Sequence, residues 1–244
     1  MYAENRGSAD LSRRETEIAT APPGVEVGNP AAPRLEPPSV LRGLFEQFGH
    51  PSGRLGALAG LLMSRTANDD RWVVDLLDVQ PTDRCLDVGC GPGVTLQLLA
   101  ERADAGLVAG VDPSDVMLRQ ASHRNRHALQ EGRLELRQAT AAQLPFQEGS
   151  FNRVCAVHSI YFWPSLAEGL RELQRVLTPS GRTVIAVRMQ HANAGRLDPS
   201  RYGVTEQDLE AIVKHAEILG FQGASVRRRD ALDRQTMAAI VAHK

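Results

Sequence analysis

The chain is 244 residues long, with 28 basic residues, 29 acidic residues and a formal net charge of -1. A balance this close to neutral argues against nucleic acid or an anionic membrane surface as partner, and no apolar run approaches the ~18 residues of a membrane-spanning helix. The three cysteines, Cys85, Cys90 and Cys155, and an N-terminus without a signal-peptide core point away from a disulfide framework and toward the cytoplasm.

Residues 1–39 hold six of the 14 prolines and few large apolar side chains, so they are expected to form a flexible leader. From residue 40 to 80 the pattern turns helical, with Leu41, Leu44, Phe45 and Phe48 at helical spacing. The run GHPSGRLG interrupts it. A further helix opens at Asp69, Asp70 and Arg71 and carries Trp72, Val73, Leu76 and Leu77. This segment is expected to act as a helical cap on a domain spanning 81–244.

In that domain short apolar strands alternate with helices. RCLDVG (84–89) and LVAGVD (107–112) read as buried strands, with a helix over 94–102 between them. Ser114 is placed to cap a helix over 114–130. Strands are expected at 133–139, 151–160 and 182–189, with a helix over 164–177 and a turn at TPSG (178–181). Thr205 caps a helix that Gly220 stops, and ASVRRRD and TMAAIVAHK close the chain as two more strands. Strand–helix alternation of this kind gives a doubly wound α/β fold with a mostly parallel sheet.

The sharpest motif is Leu86-Asp87-Val88-Gly89-Cys90-Gly91-Pro92-Gly93, where a strand ends and a helix begins. Glycines there allow a tight turn and a close backbone approach to a ligand. Asp112 ends the next strand, where a carboxylate can accept from both hydroxyls of a ribose. Together they indicate an adenosine cofactor. The dinucleotide fingerprint needs Gly-x-Gly-x-x-Gly, and Val94 stands where its third glycine belongs. Asp87 would repel a pyrophosphate but suits a ligand with a positive end. A nicotinamide-dependent oxidoreductase is therefore the weaker reading.

LDVGCGPG, VAGVDPSDVML, LPFQEGSFNRV and RVLTPSGR, in that order over roughly residues 70–190, resemble a class I S-adenosylmethionine-dependent methyltransferase. The likeness is greatest to the ubiquinone/menaquinone-methyltransferase-like branch with small-molecule acceptors. It implies a seven-stranded sheet with an antiparallel last strand, and S-adenosyl-L-methionine as cofactor with S-adenosyl-L-homocysteine as product. It further implies that Asp87, Gly89, Cys90, Gly91 and Gly93 meet the methionine part and ribose. Asp112 would take the ribose hydroxyls, and Pro113, Ser114 and Met117 would border the adenine. Thr140 stands where the family often has an acid for the adenine amino group, and the backbone of Ala141 can serve the ring. Asn152 also departs from the pattern, where an Asp usually follows the Phe.

His158, at the end of the fourth strand, faces the departing methyl in such a fold. Two roles stay open for it: general base, or a group that shapes the cofactor pocket. Tyr161, Phe162 and Trp163 are expected to wall a flat or apolar acceptor, with Phe45, Phe48, His50 and Trp72 contributing from the cap. Asn68 and Arg71 are within sequence reach of polar groups there. The cysteines lack the paired spacing of a metal site, and no Ser/His/Asp nucleophile motif appears. Arg227, Arg228 and Arg229 read as charges guarding a sheet edge. A cofactor-binding protein without turnover remains the alternative. The acceptor and the oligomeric state are not legible.

Overall fold

A strand buried on both faces must be apolar at nearly every position, and its alternate side chains then feed two separate cores. That is how this chain is built. The computed structural model describes residues 67–190, 203–230 and 236–244; the leader and residues 40–66 of the expected cap lie outside them. The strands are β1 Arg84–Val88, β2 Leu107–Asp112, β3 Leu134–Gln138, β4 Phe151–Val157, β5 Leu177–Arg188, β6 Gln222–Asp230 and β7 Thr236–His243. The helices are α1 Ala67–Leu77, α2 Val94–Arg102, α3 Asp115–Arg124, α4 Arg126–Gln130, α5 Leu166–Val176 and α6 Glu206–Ile218.

The seven strands form one sheet in the order β3-β2-β1-β4-β5-β7-β6. β1 to β5 pair in parallel, and β7 lies antiparallel to both β5 and β6. The order reverses at β1 and β4. In open α/β sheets ligands sit beyond the strand C-termini at such a switch point.

Alternation along each strand sorts the core. Leu86 and Val88 join Val111, Ala156 and Ile185 on the face covered by α5 and α6, through Leu170, Leu173, Leu209 and Ile212. Cys85, Val108, Cys155 and Val184 point to the other face, against Val73, Val74 and Leu77 of α1 and Leu96 and Leu99 of α2. Asp87 shares the parity of Cys85, so a carboxylate enters this second layer. Helix starts follow their caps. Ser114 Oγ accepts from Met117 N at 3.4 Å, Ser165 Oγ accepts from Glu168 N at 3.3 Å, and Thr205 and Asp208 form a reciprocal capping box on α6.

Three boundaries differ from the sequence reading. The helix expected over 114–130 breaks at Asn125, whose Nδ2 donates to Gly93 O at 3.0 Å and to Ala121 O at 2.9 Å. The fourth strand stops at Val157, because His158 turns with φ 54 and a 3₁₀ turn, Ile160–Phe162, follows. β5 starts early at Leu177, which pairs with Phe151; pairing then shifts to Arg153–Arg182, so the expected turn survives as an irregularity with Ser180 at φ 63.

Asn125→Ala removes two buried side-chain hydrogen bonds, one to the loop before α2. Gln97 N still donates to Gly93 O and Asn125 N to Ala121 O. The cost is therefore that of two hydrogen bonds at roughly 0.5–1.5 kcal/mol each, about 1–3 kcal/mol together. Urea denaturation should show a loss of that size, with the slope unchanged.

Candidate cofactor and acceptor site

The loop after β1 is fixed from below by the end of β2. Gly89 N and Cys90 N both donate to Val111 O, at 2.8 and 2.9 Å. Gly89 (φ 78) and Gly93 (φ 80) adopt the left-handed backbone that favours glycine. A Cβ on Gly89 would stand 2.3 Å from the Ser159 Cβ, and one on Gly93 would stand 2.6 Å from Asn125 Nδ2. Ser159 Oγ in turn donates to Val88 O at 2.6 Å. Packing inside the protein thus already demands two of the three glycines. The Cys90 thiol is buried, next to the space beside Gly110.

The Asp112 carboxylate braces this loop. Oδ2 accepts from Gly91 N and Oδ1 from Ser114 N, each at 2.9 Å. An ionised carboxylate only accepts, with about four sites on its two oxygens. Pro113 O accepts from Gln138 Nε2 at 2.9 Å, which ties the first residues after β2 to the end of β3. Met117 is fully buried under this corner. Beside it Ala139 N donates to Asp112 O at 3.3 Å, Thr140 bridges to Gln143, and Ala141 is buried in the core with Val111. The structure therefore brings Asp112, Pro113, Ser114, Met117, Thr140 and Ala141 to one corner.

Asp87 lies at the foot of the loop, 1 % exposed. Its Oδ1 accepts from the Cys155 thiol at 3.7 Å, and its Oδ2 has no partner among the described residues. Burial, then the nearby charge of Asp70, pushes its carboxyl well above the usual carboxylate range. An isolated carboxylate this deep is costly unless a cation meets it. The open oxygen, the left-handed loop and the braced Asp112 fit an adenosyl ligand that carries a positive amino acid end.

On the acceptor side, His158 N donates to Ala186 O at 3.0 Å, and its Nε2 faces Asp69 Oδ2 at 3.4 Å. Arg229 reaches Asp69 Oδ1 at 2.6 Å and Arg188 reaches Oδ2 at 3.6 Å. Burial works against ionisation of Asp69, but the His158 hydrogen bond and charge and the two guanidiniums outweigh it and hold the carboxyl below its ordinary range. Arg229 also stacks 5.0 Å over the Trp72 ring and donates to Asn68 O at 3.0 Å. The Tyr161 hydroxyl is committed to β5: it accepts from Arg188 N at 2.6 Å and donates to Arg188 O at 3.3 Å. Trp163 packs on α5, where a Cβ at Gly169 would lie 2.3 Å from its ring. Arg71 is exposed. Phe45 and His50 lie outside the described residues.

Sequence reading missed Asp69, Asp70, Arg188 and Arg229. The acids looked like ordinary first-turn residues of a helix. The arginine run looked like edge charge, and Arg228 does pair with exposed Glu206 at 2.7 Å. Strand alternation sends Arg229 the other way, onto a carboxylate 160 positions earlier; no local pattern marks such a contact. Asn152, the departure from the family pattern, lies far from the loop. It accepts from Arg84 N at 2.8 Å and donates to Asp83 Oδ1 at 2.7 Å, clamping the N-terminal ends of β1 and β4.

A family model described as a methyltransferase domain matches residues 86–185. The chain is 30% identical over 122 residues to YrhH of Bacillus subtilis, a protein named as a methyltransferase, covering 50% of this chain and 67% of that one. It is 38% identical over 110 residues to the methyltransferase GfsG of Streptomyces halstedii, covering 45% of this chain but only 39% of that relative. A SAM dependent methyltransferase from Aquifex aeolicus shares the fold, with a TM-score of 0.59 at 20% identity over 74% of this chain and 92% of the other.

Asp87→Asn tests the site from two sides. A carboxyl whose folded pKa is raised binds more protons folded than unfolded, so its contribution falls as pH rises through the window above the ordinary carboxylate range. Removing that charge should stabilise the ligand-free protein at neutral pH by about 0.5–2 kcal/mol, a gain that shrinks as pH falls toward that range. Thermal melts read the gain, and titration with S-adenosylhomocysteine should show weaker binding in the same variant.

Proposed function

The chain belongs to the S-adenosylmethionine-dependent methyltransferases, and from that premise we propose that it methylates a small, flat or apolar acceptor at the C-terminal end of the sheet. The observation that carries this reading is the unpartnered Oδ2 of Asp87 beneath a glycine loop braced by Asp112. Asp87 would hold the cationic end of the methionine part, with the loop backbone at Gly89, Cys90, Gly91 and Gly93 beside it. Asp112 would take the ribose hydroxyls. Pro113, Ser114, Met117, Thr140 and Ala141 would frame the adenine. When bound, the cofactor supplies the methyl group and its sulfonium leaving group. What the chain adds is alignment and exclusion of water, which suffice for large accelerations.

His158 would close the pocket at the end of β4, and the rings of Tyr161 and Trp163 would wall the acceptor; Phe45 and His50, expected there from the sequence, lie outside the described residues. The committed Tyr161 hydroxyl favours contact through its ring rather than through its oxygen. Three free, buried cysteines suit a reducing cytoplasm, and among the described residues no helix is long and apolar enough to cross a membrane.

Calorimetry with S-adenosylhomocysteine and with NAD tests the cofactor. Binding of the first and not the second is expected; the reverse would sink the reading. Asp112→Ala should weaken S-adenosylhomocysteine by more than about tenfold. It loses charged hydrogen bonds of roughly 1.5–3 kcal/mol each, and the loop loses its brace. Transfer from methyl-labelled S-adenosylmethionine into a small-molecule extract should yield a labelled acceptor. Cofactor binding with no labelled product from any extract would favour a binding protein without turnover.

A further inference from the structure

The two ring nitrogens of His158 have unlike surroundings. Nε2 lies 3.4 Å from Asp69 Oδ2, whereas Nδ1 is buried with no hydrogen-bond partner among the described residues. A neutral imidazole has one N–H and one lone pair, and the partner of one nitrogen decides their places. Asp69 is flanked by Arg229 at 2.6 Å and Arg188 at 3.6 Å, which favour its ionised form. An ionised carboxylate only accepts, so Nε2 carries the proton. The enclosure of Nδ1 selects the same tautomer, because an N–H sealed away without an acceptor is worse than a sealed lone pair.

We propose that Asp69 is a positioning residue that fixes His158 as its Nε2–H tautomer. The imidazole is then a strut between α1 and the turn after β4, with no open lone pair to take a proton from an acceptor. The strut bears on a strained place. His158 holds φ 54, a conformation uncommon for a residue with a side chain. The next residue, Ser159, is the one that fits against Gly89. Asp69 on α1, Arg188 on β5 and Arg229 on β6 are the charged groups that meet here, so one carboxylate ties three elements to the turn beneath the loop. The inference rests on the methyltransferase reading only for its consequence: the acceptor's nucleophilic atom either already has a lone pair or gives its proton to something other than His158.

Long-range proton–nitrogen correlation spectra of the full chain with ¹⁵N-histidine report the tautomer without any ligand. They are recorded where imidazoles are neutral, and His158→Gln identifies the ring. The expected pattern is a protonated Nε2 and a bare Nδ1; a protonated Nδ1 overturns the proposal, since Nε2 would then hold a lone pair. In Asp69→Asn the amide can donate or accept, so the strict preference should be lost. A folded Asp69→Asn variant that keeps it removes the role of Asp69. Should that variant not fold, the wild-type spectrum still decides. In the labelled-extract assay His158→Asn should keep at least about a tenth of the methyl transfer, whereas loss beyond about a hundredfold with S-adenosylhomocysteine binding intact would make His158 a base and overturn the strut. A protonated Nε2 in a chain that binds no S-adenosylhomocysteine upholds the tautomer and strikes only the methyltransferase reading.

Discussion

Two peptide N–H groups converge on one carbonyl oxygen: Gly89 and Cys90 both donate to Val111 O. That shared acceptor folds the chain sharply back as it leaves β1 and sets where α2 begins. The turn brings Gly89 against Ser159 and Gly93 against Asn125, approaches that admit no Cβ. The loop therefore links the end of β2, the turn after β4 and the end of α3. A ligand binding here meets a surface fixed by contacts in three directions, which is the kind of preorganisation that alignment-based catalysis needs.

The fold was largely legible because its signals are local. Five apolar runs and two closing strands fell where alternation and length placed them, and Ser114 and Thr205 capped their helices as expected. The boundaries that moved did so for tertiary reasons. Nothing in SHRNRH says that Asn125 will leave its helix to satisfy Gly93 O. Nothing in AVHSI says that His158 will be held left-handed by partners on β5 and α1. The cofactor corner was legible through the glycine loop and Asp112, since backbone chemistry dictates those residue types. The acceptor-side charges were not, because the contact between Asp69 and Arg229 joins the two ends of the described chain. The family departure at Asn152 loses its weight once its partners are seen, for it serves the opposite end of the sheet.

Two buried carboxylates on the α1 and α2 side of the sheet have opposite fates. Asp69 meets two guanidiniums and an imidazole, and its ionised form is favoured despite burial. Asp87 meets a thiol, and the acid Asp70 raises its pKa further. Both sit where desolvation is severe, so the difference lies in what the chain supplies nearby. A group that the fold satisfies is a structural tie. In the proposed reading, a group that the fold leaves costly is held for a ligand that arrives later, at the expense of stability in the ligand-free state.

This asymmetry divides the labour across the switch point. On the cofactor side Arg124 donates to the loop at Pro92 O, but Asp87 Oδ2 has no partner among the described residues, and in the proposed reading its cation would come with the ligand. On the acceptor side the positive charges are built in and spent on Asp69, which leaves His158 facing a carboxylate. In the proposed reading an acceptor entering past Tyr161 and Trp163 would find the Tyr161 hydroxyl committed to Arg188 and His158 Nε2 to Asp69, while the buried Trp163 Nε1 and His158 Nδ1 have no partner among the described residues. Such a wall would select mainly by shape and apolar contact. It leaves the reactivity of the pair to the sulfonium and to the acceptor's own nucleophile, held in line by a rigid frame.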